Sequence, residues 1–168
     1  MSNIIYTIGH SSITSEEFFD LLKKHKIAAL ADIRSVPYSQ FTPQFNKELI
    51  EQSCHKNGIA YFFFGDSLGG KPVDRSVIGN GSKADYDYLR RQEYYLSGID
   101  KLIGLLGRYR ICLMCSEGHP DKCHRNLLVG DTLQKKGVDV LHILPDGKTI
   151  SIDELRLAKN KGQLVLFK

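Results

Sequence analysis

The chain has 168 residues and a mass of 19.0 kDa, with 42% hydrophobic and 25% charged residues. That length suits one domain with a proper core, and the composition excludes disordered, collagen-like and disulfide-scaffold proteins. A formal net charge of +4 favours an anionic partner, either a small molecule or nucleic acid.

No apolar run approaches the roughly 18 residues of a membrane-crossing helix, and the first residues lack the basic region that opens a secretion signal. A cytoplasmic location with no membrane partner is therefore expected. In a reducing compartment the four cysteines are thiols, metal ligands or reactive groups rather than a disulfide framework.

Short apolar runs alternate with longer amphipathic stretches, which predicts an α/β fold: a three-layer, Rossmann-like sandwich around a mostly parallel sheet of about five strands. Residues 1–168 read as one such domain. Ile4 to Ile8 is the first strand, and Thr14 to Glu17 spells a capping box that opens a helix reaching about Lys26. Ile27 to Ile33 is the second strand. Thr42 and Pro43 predict the start of a helix that stops at Asn57-Gly58. Ile59 to Phe64 is the third strand.

Residues 65–83 are glycine-rich and irregular, a lid expected to close over substrate. Residues 84–107 predict one long helix or two joined near Gly98. Tyr109 to Cys115 is the fourth strand, residues 123–136 a helix, and Val138 to Leu144 the fifth strand. A helix over Ser151 to Asn160 and a tail strand over Gln163 to Phe167 complete the chain.

Parallel sheets bind ligands beyond the carboxyl ends of their strands, where loops converge and helix amides point at one crevice. The residues at those ends are His10 and Ser11, then Asp32, Arg34 and Ser35, then Gly69, Gly70 and Lys71, and finally Cys115 and Glu117. The crevice is expected between the first and fourth strands. The densest cluster runs from Cys115 to Arg125 and allows three readings. Cys115 or Cys123 is a nucleophile supported by His124 or His10; or Cys115, His119, Cys123 and His124 close on a metal; or the thiols pack while Arg125 binds an anion.

His10 is suited to acid-base work by a pKa near neutrality. Asp32 and Arg34 share parity on an extended segment and so face the same side, as an ion pair or as a base and an oxyanion clamp. Gly69-Gly70-Lys71 suggests a phosphate cradle without the full Walker spacing. Cys54 and Cys112 read as core thiols.

Together Tyr6 to Ser11, Asp32 to Pro37, Leu68-Gly69-Gly70 and Met114 to Glu117 leading to Cys123-His124-Arg125 resemble the bacterial and archaeal family called domain of unknown function 488. The resemblance runs to about His142. It places the family's polar set on His10, Asp32, Arg34, Ser35, Gly69, Gly70, Cys115, Glu117, Cys123, His124 and Arg125; His119 lies outside the pattern. A second similarity is one of layout. Rhodanese-like sulfurtransferases also carry an Asp-Val-Arg-type segment after one strand and a cysteine loop that ends in Arg at a helix start. Here ten positions separate Cys115 from Arg125.

These residues point to a hydrolase or group transferase acting on a phosphate-bearing substrate such as a nucleotide or nucleic acid. In this reading His10, Asp32, Cys115, Glu117, Cys123 and His124 do the chemistry, while Ser11, Arg34, Ser35, Gly69, Gly70 and Arg125 hold substrate. A sulfurtransferase using a motif cysteine and a non-catalytic nucleic-acid or metal-binding module are the alternatives. No cofactor is identified, no residue is assigned to a metal, and a homodimer is compatible with the sequence.

Overall fold

Apolar runs become strands and amphipathic stretches become helices in close alternation. A computed structural model describes residues 3–72 and 83–162. In chain order they form β1 (Ile4–Gly9), α1 (Ser15–Lys24), β2 (Ala29–Asp32), a 3-10 helix (Pro43–Phe45), α2 (Lys47–Lys56), β3 (Ala60–Phe63), α3 (Gly65–Leu68), α4 (Lys83–Leu89), α5 (Glu93–Leu105) and β4 (Ile111–Cys115). A second 3-10 helix (Pro120–Lys122), a π-helix (Arg125–Gly130), α6 (Asp131–Lys135), β5 (Asp139–Ile143), β6 (Thr149–Ser151) and α7 (Ile152–Asn160) follow. No helix among the described residues is long and apolar enough to cross a membrane.

The strands form one sheet in the order β3-β2-β4-β1-β5-β6, parallel except for the antiparallel pair β5 and β6. Alternation along each strand sorts side chains onto two faces. Tyr6, Ile8, Leu30, Cys112 and Met114 meet Phe18, Leu22, Ile50 and Cys54 from α1 and α2. Ile5, Ala29, Ala31, Ile111 and Leu113 meet Leu68, Tyr95, Ile99 and Leu133 from α3, α5 and α6. The result is the expected three-layer α/β sandwich, with a sixth, three-residue strand that the periodicity does not announce.

Capping chemistry fixes helix starts. Thr14 Oγ1 accepts from the Glu17 amide while Glu17 accepts from the Thr14 amide, the capping box expected at α1. Ser151 and Glu154 repeat it at α7. Thr42 makes no such side-chain bond; Pro43 opens a 3-10 turn, and the chain straightens at Asn46 before α2 begins.

The expected helix over residues 84–107 is two, broken at residues 90–92 rather than at Gly98. Gly98 lies inside α5, where a Cβ would come within 2.5 Å of the Ser67 hydroxyl, so its absence lets α3 and α5 approach. The expected helix over residues 123–136 is a π segment followed by α6, with a 3-10 turn just before it. Part of the expected lid is regular structure, because residues 65–68 form α3. Its residues 73–82, like the expected tail strand over 163–167, lie outside the described residues.

Candidate active site at the carboxyl ends of β2 and β4

The crevice expected between β1 and β4 is closed. His10 N–H donates to the Cys115 carbonyl at 2.9 Å and Ser11 N–H to the Ser116 carbonyl at 3.0 Å. A Cβ on Gly9 would lie 1.6 Å from the Glu117 carbonyl oxygen, so the β1 end and the loop after β4 are in direct backbone contact. The opening lies one strand over. The chain leaving β2 turns toward the α2 face and the chain leaving β4 toward the α6 face, and a cleft of about 370 Å³ separates them.

Arg34, Ser35 and Val36 form one wall of the cleft; Cys115, Ser116 and Glu117 form another. Gly70, Lys71, Tyr86, Lys122, Cys123 and His124 complete it. Of the expected site residues, the structure thus brings together Arg34, Ser35, Gly70, Cys115, Glu117, Cys123 and His124.

His10, Asp32 and Gly69 stand behind this surface. Asp32 is fully buried; its Oδ1 accepts from the Arg34 amide and Nε, and its Oδ2 from Arg34 Nη2 and the Tyr61 hydroxyl. The bidentate pair fixes the plane of the guanidinium. Arg34 Nη2 also donates to the Phe45 carbonyl at 2.8 Å, and Nη1 donates to His10 Nε2 at 3.3 Å. Four of the five N–H groups of Arg34 are therefore engaged by these bonds, and one on Nη1 remains.

His10 stacks on Phe45 at 4.4 Å and donates from Nδ1 to the Ser11 carbonyl. Burial, together with the nearby Arg34 cation, lowers its pKa. The ring is a neutral acceptor for Arg34 and does not line the cleft.

Ser35 Oγ accepts from the Lys71 amide at 3.1 Å. Close packing explains the glycine pair: a Cβ on Gly69 would sit 2.3 Å from the Ser35 hydroxyl, and one on Gly70 would sit 2.9 Å from His124 Cγ. The pair lets the 69–71 backbone lie directly over Ser35 and the His124 ring.

Arg125 corrects an expectation. It is 0% exposed and turned inward, away from the cleft surface. Nε donates to Thr7 Oγ1, Nη1 to the Glu117 carbonyl at 2.5 Å and Nη2 to the Gly118 carbonyl at 3.1 Å. Its charge is used to hold the loop after β4. Placed so, the guanidinium is not part of the cleft lining that holds Cys115 and Cys123.

His142 Nε2–H donates to Asn126 Oδ1, which leaves Nδ1 of the neutral ring to accept the Thr7 hydroxyl hydrogen, while Thr7 Oγ1 accepts from Arg125. Burial, and secondarily Arg125, push the His142 pKa down to about 3. Ser11 also lies apart, in a separate hollow with Ile8, Gly118 and Leu144.

The floor of the cleft is sulfur and imidazole. Cys115, at the end of β4, is 3% exposed and Cys123 1%. His124 Nδ1 lies 3.5 Å from Cys115 Sγ and 4.0 Å from Cys123 Sγ, and Nε2–H donates to the Ile33 carbonyl at 3.0 Å. The Cys123 thiol donates to Cys115, and this bond, with the neighbouring His124 and the Glu117 amide, holds Cys115 well below the usual thiol range in spite of burial. The same bond and burial push Cys123 up. Burial alone would lower the pKa of His124, but the adjacent Cys115 thiolate raises it overall.

His119 is not part of this floor; its Nδ1 pairs with Asp121 Oδ1 at 2.7 Å. The expected four-ligand set thus lacks its fourth member. Cys54 and Cys112 are core thiols as read, with burial pushing Cys54 up to about 12.

Sequence reasoning missed Tyr86, Val36 and Lys122 as cleft residues, because an aromatic on a helix and residues in loops look alike whether they face a cleft or solvent. It also missed Phe45 and Tyr61, whose carbonyl and hydroxyl complete the setting of Arg34 and Asp32.

No curated protein and no solved structure matches the chain. One family model matches residues 14–131, a span that begins after His10 and includes every cleft residue described above. By that match over most of its length, the chain belongs to the family described as domain of unknown function DUF488.

Proposed function

We propose that the protein is an enzyme, a hydrolase or group transferase, that takes a phosphate-bearing substrate in the cleft between β2 and β4. The observation that carries this reading is Arg34. A buried guanidinium locked in place by Asp32, Phe45 and His10 keeps one N–H available on a cleft wall. An arginine so fixed presents one donor of set direction, and an anionic oxygen is the acceptor that uses it.

Three further features favour a phosphate ester over a bare carboxylate. Lys71 and Lys122 add positive charge at the mouth, against one carboxylate, Glu117, among the described lining residues. The Gly70-Lys71 backbone runs beside the same wall. Val36, Tyr38 and Phe41, the last 84% exposed, follow Arg34 on the outgoing chain and supply apolar surface for a base. The reacting group of the substrate is assigned to the floor, beside Cys115 and His124.

The test is calorimetric binding of inorganic phosphate and of nucleoside monophosphates, with turnover of a phosphate-ester panel. Arg34→Lys keeps the charge but loses the bidentate pairing with Asp32 that aims the remaining N–H, and it is expected to weaken phosphate binding at least about tenfold. Lys71→Ala, at an exposed position, is expected to weaken it without loss of fold. Phosphate affinity unchanged in both variants would sink the reading.

A further inference from the structure

The cleft floor has a geometry that packing alone does not require. Among the described residues, Cys115, Cys123 and His124 form a group whose ligand atoms all lie within 4.8 Å of one another. A tetrahedral zinc ion with bonds of about 2.3 Å to sulfur and about 2.0 Å to nitrogen sets its donors roughly 3.5 to 3.8 Å apart. The observed 3.5 Å and 4.0 Å from His124 Nδ1 to the two sulfurs fall at that spacing with little adjustment.

A second observation concerns the ring itself. His124 donates Nε2–H to the Ile33 carbonyl at 3.0 Å, which fixes the ring and leaves Nδ1 to face the sulfurs. Metal-binding histidines are held in this way by a hydrogen bond from the other nitrogen to a carbonyl or carboxylate. Gly70 lies against the same ring, so that the chain after α3 backs the imidazole as well.

The scaffold also limits motion of the donors. Cys115 ends a fully buried strand, and the loop that carries Cys123 back to it is held by Arg125 through the Glu117 and Gly118 carbonyls.

We infer that Cys115, Cys123 and His124 form a divalent-cation site of the zinc class, with three protein ligands and a fourth position open to the cleft. Two thiolates and an imidazole select zinc over the hard cations magnesium and calcium. A closed structural site would need a fourth protein donor, and His119 is engaged with Asp121 instead. Three ligands with an accessible fourth position are the arrangement of catalytic zinc. Arg34 lines the same cleft as the three ligands, so a water or a substrate oxygen on the cation would share that cleft with the anchored phosphate. This inference deepens the reading of the cleft as an active site and rests on it only for the identity of the fourth ligand.

The test uses the full chain, stripped with chelator under reducing conditions and titrated with Zn²⁺ alone and with Co²⁺ alone. Expected are one equivalent of either metal per chain, and for Co²⁺ the intense visible bands of tetrahedral coordination with thiolate charge transfer. Zn²⁺ should also protect Cys115 and Cys123 from iodoacetamide, as read by mass spectrometry on the unmutated protein. Cys115→Ser, Cys123→Ser and His124→Ala should each weaken binding by about 100-fold or more, while His119→Ala should leave it unchanged.

Absence of stoichiometric binding, or rapid alkylation of Cys115 in the Zn²⁺-treated protein, overturns the site in favour of a free thiolate. Binding that survives loss of both cysteines overturns it as well. Phosphate binding to the stripped protein reports separately on Arg34, so failure of the metal site and failure of the anion reading give different patterns.

Discussion

Arg34 Nη1 and His10 Nε2 meet at 3.3 Å, across 24 positions of sequence, and the bond fixes the protonation of the ring. His10 already donates from Nδ1 to the Ser11 carbonyl, so only a neutral imidazole can accept from the guanidinium. The residue that looks like a general base is a prop for the cation. His10→Leu keeps apolar contact with Phe45 but removes the acceptor, and should cost about 1–3 kcal/mol in urea denaturation. His10→Gln, which retains an acceptor, should cost less. Equal losses in the two variants would show that the acceptor does not matter.

Asp32 should be the most sensitive polar position behind the cleft. It receives four hydrogen bonds in a fully buried setting, three of them from Arg34. Asp32→Asn leaves a buried guanidinium without its counter-charge, a change expected to cost about 3–5 kcal/mol. Tyr61→Phe removes one of the four donors and should cost about 0.5–1.5 kcal/mol. Chemical denaturation of both variants checks the ranking.

The glycines divide into those that bring chains together and those that do not. Gly9→Ala drives a Cβ into the Glu117 carbonyl and must separate the β1 end from the loop after β4. Gly104, exposed near the end of α5, has no heavy atom within 4 Å of its Cβ position. Gly9→Ala is expected to lower the melting temperature steeply, and Gly104→Ala to raise stability by about 0.5–1 kcal/mol. Thermal unfolding that shows no difference between them would contradict the backbone contact.

Acid should destabilise the fold through its buried histidines. His142 has its folded pKa pushed down to about 3 from the usual 6.5. Between those values the unfolded chain binds a proton that the folded chain excludes, so stability falls as pH drops below about 6.5 and levels near 3. The contribution is on the order of a few kcal/mol. His10, lowered by burial, acts in the same direction. His142→Gln should flatten the fall in stability between pH 6.5 and 4, whatever it does to stability at neutral pH. An unchanged slope would remove His142 as the cause.

The layers were legible because alternation along β1, β2 and β4 is uninterrupted: Ile5 and Ala31 face one way, Tyr6 and Leu30 the other. Strand order was not, since no local pattern records that β4 inserts between β2 and β1. That insertion moved the cleft by one strand. The pairing of Asp32 with Arg34 was readable from their parity, and the prominence of Cys115 and His124 from their place after a buried strand.

What side chains do with their charge was not readable. Arg34 and Arg125 both follow chemistry-bearing segments, yet one lines the cleft and the other turns into the core to bond two carbonyls. Only the three-dimensional course of residues 115–125 separates them. The π-helix at Arg125–Gly130 was likewise invisible, because its residues are as apolar and helix-compatible as an ordinary turn.

The inward guanidinium of Arg125 carries a consequence for the working range of the site. Arginine keeps its proton under all ordinary conditions, and its partners here are uncharged peptide oxygens and a hydroxyl. Nothing in the two carbonyl bonds, which hold the loop, is itself unlocked by acid or base short of unfolding. The rim that carries Glu117 and Gly118 should therefore hold its shape at any acidity the rest of the molecule survives.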